Sequence, residues 1–189
     1  MMMRTPPIRL QRALRARFAA DARGTAAIEF AMIIPVLILF YFAVVELSLA
    51  LDVNRKVSTT ASVIGDLVAQ AKETDATEVE AIFDAANAIM QGVDVSEMEL
   101  RVTSLAMDGD GNTEVTWSRG RHTAPNTCDA EIATPTGVLT ENQSVIIAEV
   151  AYTYRPPIGH FLTGDIEMTD TFYLRPRTSV QVKFEPEQC

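Results

Sequence analysis

RGTAAIEFAMIIPVLILFYFAVVEL, residues 23–47, is almost entirely hydrocarbon, yet Glu29 stands at its entrance and Glu46 near its far end. Phe30 to Val45 is sixteen residues without a charge. Residues 28–51 number 24, roughly 36 Å of helix at 1.5 Å per residue. That exceeds the roughly 30 Å hydrocarbon core of a bilayer. A helix buried in a globular core would need more protein around it than the rest of the chain supplies. A cleaved secretory signal would carry an apolar core of only about 7–15 residues and then a small-residue site. Here the run is longer, and LDVNRKVSTTA continues it as helix. A retained transmembrane span over 28–51 is expected.

The charge pattern orients that span. The chain has 189 residues and a net charge of -9. Residues 1–28 hold Arg4, Arg9, Arg12, Arg15, Arg17 and Arg23 against the single acid Asp21. Residues 52–189 hold 22 acids and ten basic residues. The sequence is basic, then oily, then acidic. An arginine-rich flank stays on the cytoplasmic side, so residues 1–24 are read as a basic cytoplasmic leader suited to anionic lipid. Residues 72–189 are read as an extracytoplasmic domain. Its acidity is poorly matched to nucleic acid. Cys128 and Cys189 both fall in it, where the compartment permits a disulfide; two free thiols are the other possibility.

Beyond Leu51, apolar residues recur at Val53, Val57, Ala61, Ile64, Leu67 and Val68 in steps of three and four. This is the stripe of an amphipathic helix. One long helix over 25–71 is expected, bent at Pro35. A second helix is expected from Thr77 as N-cap, with Glu80 at capping-box spacing, through Val79, Ile82, Phe83, Ala86, Ile89 and Met90 to Gln91-Gly92. From Glu97 the period changes to two. MELRVTSLAM, TEVTW and SVIIAEVAYTY read as strands, the last with Val145, Ile147, Val150, Tyr152 and Tyr154 on or near one face. MTDTFYLRPRTSVQVKF supplies one or two more. The fold class expected is α+β: a long N-terminal transmembrane helix extending into a two-layer domain of a second helix on an antiparallel sheet.

Glu29 asks for a physical reason, since an acid drawn into a bilayer is costly and usually functional. Gly24 lies five positions before it, and a glycine lets an extended backbone enter a protease cleft. A cut after Gly24 would create an amine on Thr25, one helical turn from Glu29. Opposite charges in a poorly hydrated place attract more strongly than in water. The segment as a whole resembles the N-terminus of TadE-like proteins, minor pseudopilins of the tight-adherence (Tad) pilus. A basic leader, Gly24, Glu29-Phe30, an apolar run with Pro35 inside it and Glu46 near its end match that pattern in order. The resemblance is close over residues 20–60 and loose beyond, where YTYRPP at 152–157 is the main echo. It implies processing by prepilin peptidase between Gly24 and Thr25, and pairing of Glu29 with a new subunit amine. It also implies a pilin-like fold and partners among other pilin-like subunits and Tad assembly proteins. Phe30, Pro35 and Glu46 belong to the helix that packs in assembly. Glu46 is read as a hydrated anchor at the outer interface in preference to a buried ion pair. An unprocessed signal-anchored envelope protein that scaffolds or senses is the alternative.

Weaker signals point away from chemistry. DGDGN at 108–112 alternates oxygen ligands, but Thr113 and Arg119 replace the glycine and glutamate of an EF-hand loop, so it is read as a hairpin turn, with a calcium site of another kind on Asp108, Asp110 and Asn112 as the lesser alternative. His122 and His160 have no zinc spacing, and no P-loop, GxSxG or GxGxxG occurs. Asp129 and Glu131 would need burial to act as a catalytic pair. Trp117, Tyr152, Tyr154, Phe161, Phe172 and Tyr173 are expected in the sheet's packing. No catalytic activity, cofactor, metal or small-molecule substrate is expected. A single-pass protein of the bacterial inner membrane with a periplasmic C-terminal domain is expected instead.

Overall fold

The computed structural model describes residues 23–128, 130, 132–157 and 164–189. The leader up to residue 22, and with it most of the basic segment, lies outside the described residues; so do Asp129, Glu131, His160 and Phe161. The elements are α1 (Arg23–Gln70), β1 (Glu73–Asp75), α2 (Ala76–Ile89), β2 (Glu99–Met107), β3 (Thr113–Arg121), β4 (Ser144–Tyr154), β5 (Ile166–Leu174) and β6 (Lys183–Glu185). The chain forms two compact units, Met1–Val45 and Glu46–Cys189.

In the first unit α1 is apolar and uncovered. Met32, Val36, Leu39, Phe40 and Tyr41 are all exposed, and Pro35 lies inside the helix. Pro35 has no N–H, so the Ala31 carbonyl loses its helical partner. This is one helix long and apolar enough to cross a membrane. Water could not solvate such a surface without a large hydrophobic penalty.

In the second unit the rest of α1 turns one face to a sheet. Val53, Val57, Ala61, Ile64 and Val68 are buried, each three or four residues from the next. Leu67, expected on that stripe, is exposed, because it stands one residue off the buried line. The four-stranded sheet runs β3-β2-β4-β5, antiparallel throughout. Gly65 lets α1 approach it closely: a Cβ there would lie 2.4 Å from Leu174 Cδ1 and 3.1 Å from Ala148 Cβ. The second helix adds Val79, Phe83, Ala86 and Met90 to the same core as Trp117, Ile146, Ala148 and Val150. Each large side chain so buried contributes roughly 1.5–3 kcal/mol. Arg121 joins β3 to α2 by pairing with Glu80 (2.5 Å) and Asp84 (3.0 Å), its guanidinium 5.4 Å from the Phe83 ring centroid.

The helix-on-sheet layering expected from the sequence is present, with differences of detail. The N-cap of α2 is Asp75, not Thr77: Asp75 is extended (φ -132°, ψ 179°) and its carboxylate accepts from the Glu78 N–H at 2.8 Å. The N-cap therefore stands two residues earlier than expected, in DATE. Asp75 also ends β1, which pairs in parallel with β6; a three-residue strand has no period to read. Along β4 the residues expected together divide. Val145 and Ile147 belong to a second cluster with Leu105, Val115 and Leu139, while Val150 and Tyr154 belong to the helix-side core. Strict alternation separates odd from even positions, and both faces are buried here because Ala130, Ile132, Val138 and Leu139 pack on the second. Val115 and Trp117, two apart, also fall in different clusters. A register shift between Ser104 and Leu105 leaves Thr116 without a partner on β2, and such a bulge inverts the alternation. The Thr116 hydroxyl donates to the Ser104 carbonyl at 3.1 Å.

The C-terminal segment straps the unit together. The Arg177 N–H donates to the Ala69 carbonyl (2.9 Å) and the Thr178 hydroxyl to the Gln70 carbonyl (3.0 Å), holding the end of α1. Arg177 pairs with Asp66. Trp117 Nε1 donates to the Val182 carbonyl at 2.8 Å. Cys189 closes the strap in a disulfide to Cys128, with Cα atoms 5.6 Å apart.

Candidate functional site

The candidate site is the N-terminal part of α1, from Gly24 through Glu29, Phe30 and Pro35. Gly24 and Thr25 lie at the start of the described part of α1. Outside its own helical turn, no described atom lies within 4 Å of the place a Gly24 Cβ would take. Thr25 and Glu29 are four residues apart on one helix, the spacing that puts side chains on a common face about 5–6 Å apart. Glu29 and Phe30 are exposed. The bond after Gly24 is helical here, so a protease cleft that takes extended backbone would have to unwind this part of α1.

Glu46 is unlike Glu29. It was expected to be hydrated, but both its carboxylate oxygens are shut off from solvent and have no hydrogen-bond partner among the described residues. The helical period explains this. Glu46 stands four residues before Ala50, which packs on the core and leads on to Val53 and Val57, so the carboxylate falls on the stripe that faces the domain. The hydroxyl of Tyr154, at the end of β4, is also enclosed without a partner among the described residues. Burial pushes the Tyr154 phenol up from its ordinary value, and the charge of Glu46 adds to that shift. This juxtaposition was missed in the sequence; extending the stripe back from Val53 through Ala50 would have flagged Glu46.

Beside it, a groove of about 600 Å³ runs between α1, the 92–97 loop and the end of β4. Lys56 bonds Asp52 (3.1 Å) and the Gln91 carbonyl (3.1 Å) on one side. Arg155 faces Glu97 (3.4 Å) and Asp165 (3.6 Å) on the other. Burial raises the Tyr152 phenol, with Asp94 adding to it. A second groove of about 540 Å³ adjoins the disulfide and Trp117.

The other singled-out residues are structural. Asp108 accepts from the Asp110 and Asn112 N–H groups (2.9 and 2.8 Å) and from the Asn112 side-chain amide (3.0 Å). DGDGN is thus the β2–β3 hairpin turn, as expected, and these bonds, led by those from Asn112, lower the Asp108 carboxyl. His122 lies just after β3 with Nδ1 3.0 Å from the Met98 carbonyl oxygen. Trp117, Tyr152, Tyr154 and Phe172 pack in or on the helix-side core, and Tyr173 packs on the second cluster. Among the described residues, no three His, Cys, Asp or Glu side chains gather where a metal ion would sit.

No curated protein and no solved structure matches the chain significantly. Against protein families, residues 24–64 match the TadE-like protein family, over the very segment that carries Gly24, Glu29, Phe30, Pro35 and Glu46.

Proposed function

We propose that this chain is a minor pseudopilin of a Tad-type pilus. Its working surface is a helix face and not a reaction pocket, and its role is structural, without catalysis. The observation that carries this is the uncovered apolar length of α1 inside the family-matched segment. Such a surface is satisfied by lipid before assembly and by other pilin-like helices after it. Helix association in lipid rests on packing and polar contacts, because lipid tails are as apolar as leucine. Prepilin peptidase cuts between Gly24 and Thr25, and the new Thr25 ammonium pairs with Glu29 of its own or a neighbouring subunit. The protein thereby helps to initiate or prime the pilus together with Tad assembly proteins. The N-terminus is cytoplasmic, the span lies in the bacterial inner membrane, and the Glu46–Cys189 unit is periplasmic.

Co-expression with a prepilin peptidase and intact-mass measurement tests this. A mature chain beginning at Thr25 is expected. A chain that keeps Met1 would leave the alternative, a signal-anchored envelope protein that scaffolds or senses.

A further inference from the structure

β3 is an edge strand: β2 pairs with one side of it, and no strand pairs with the other among the described residues. The ladder fixes which backbone groups face that open side. The Met107 N–H donates to the Gln143 carbonyl and the Met107 carbonyl accepts from the Asn142 N–H, so Met107 turns its backbone away from β3. Its partner Thr113 therefore turns outward, and so does Val115, two residues on and opposite Leu105. Beyond the bulge Ser118 also points outward, and its N–H donates to the Gln188 side-chain oxygen at 3.3 Å. That oxygen stands where the carbonyl of a neighbouring strand would stand. At Thr113 and Val115 no described group does so. Here the edge opens onto the groove of about 540 Å³, lined by residues 114–117 on one side and by Lys183, Glu185 and Glu187 of the strap. Unpaired N–H and C=O groups along a strand edge are a template for another strand.

We propose that this groove binds an extended segment of a partner protein with lysine or arginine at alternate positions, added to β3 as a further strand of the sheet. The charges select the partner. Glu114, Glu185 and Glu187 stand on the groove against Lys183 alone, and none of the three acids is in an ion pair among the described residues. Acids on both walls attract a cationic guest and repel an anionic one. Alternate side chains of a strand point the same way. Every second side chain of the guest can thus meet these acids, and its backbone pairs with Thr113 and Val115. A second copy is the poorer occupant: its other edge strand, β5, carries Glu167 and Asp170, which would be set against the groove's own acids. The proposal holds whether or not the chain is a pilus subunit.

The test uses the full chain in detergent and two labelled peptides, Val-Lys-Val-Lys-Val-Lys-Val and its glutamate counterpart, with binding read by fluorescence anisotropy. The lysine peptide is expected to bind about tenfold more tightly, the scale of a few exposed ion pairs. Glu114→Gln, Glu185→Gln and Glu187→Gln together should remove that difference with Trp117 fluorescence unchanged. A strand offers alternate N–H groups to each side, so N-methylating one alternate set of the lysine peptide's amides should abolish binding and methylating the other set should not. Bound peptide should slow hydrogen exchange of the Val115 amide about tenfold. Equal binding of the two peptides, a difference that survives the triple substitution, the same result from both methylated peptides, unchanged exchange at Val115, or a dimer of the chain that protects Val115 without peptide would each overturn the proposal.

Discussion

Replacing Cys128 and Cys189 by serine removes a bridge between residues 61 apart in the sequence. On the chain-entropy account, closing a loop of n residues removes about 2.1 + 1.5R ln n cal/mol/K from the unfolded ensemble, which for a loop of this length is about 4 kcal/mol at 25 °C. That is a large share of the roughly 5–15 kcal/mol by which domains are stable. At about 2 kcal/mol per molar urea, the midpoint should fall by about 2 M. Trp117 is the chain's one tryptophan. It is a suitable reporter because its indole N–H donates to Val182 on the strap and its ring lies 5.3 Å from that of Phe184. The measurement is urea unfolding of the full chain in detergent, oxidised wild type against the double-serine variant, followed by Trp117 fluorescence. A loss under about 1 kcal/mol would refute the reasoning. It would mean that β6, the Trp117–Val182 bond and the Arg177 contacts with α1 already hold the loop closed when the rest of the unit is unfolded.

Other perturbations separate the physical claims. Asp75→Ala removes the α2 cap and should cost about 1 kcal/mol, whereas Thr77→Ala should change stability by a few tenths at most; denaturant midpoints compare them. Gly65→Ala forces the Leu174 side chain aside and should destabilise the unit by about 1–3 kcal/mol, with Leu174→Ala in the same chain restoring part of the loss. The Asp108 carboxyl should titrate by NMR below its ordinary 3.8. Because its folded value is lowered, the stability it lends the hairpin is complete above 3.8 and is lost as pH falls through the lowered value. Glu29→Ala should leave membrane insertion unchanged and reduce piliation; normal piliation would count against pairing with the Thr25 amine.

The sequence by itself determined everything that depends on a long or regular pattern. A charge-free run of sixteen residues has one physical solution, a helix out of water. The stripe from Val53 to Val68 could face only a covering layer, and SVIIAEVAYTY alternates long enough to be a strand over Ser144–Tyr154. The spacing of Gly24, Glu29, Phe30, Pro35 and Glu46 carried the family resemblance because it is local to one helix. Tertiary structure decided whatever depends on residues distant in the chain. Val115 and Trp117 part company because a bulge inverts β3, and period two cannot foresee an inserted residue. Glu73–Asp75 becomes a strand only because residues 183–185 arrive beside it. Cys128 and Cys189 meet because the strap carries the C-terminus back across the sheet. Glu46 lies out of water because the stripe that buries Ala50 and Val53 continues one turn further, toward a tyrosine 108 positions away in sequence. Hydropathy reports how oily a segment is; only the packed chain decides which of its atoms still lack a partner.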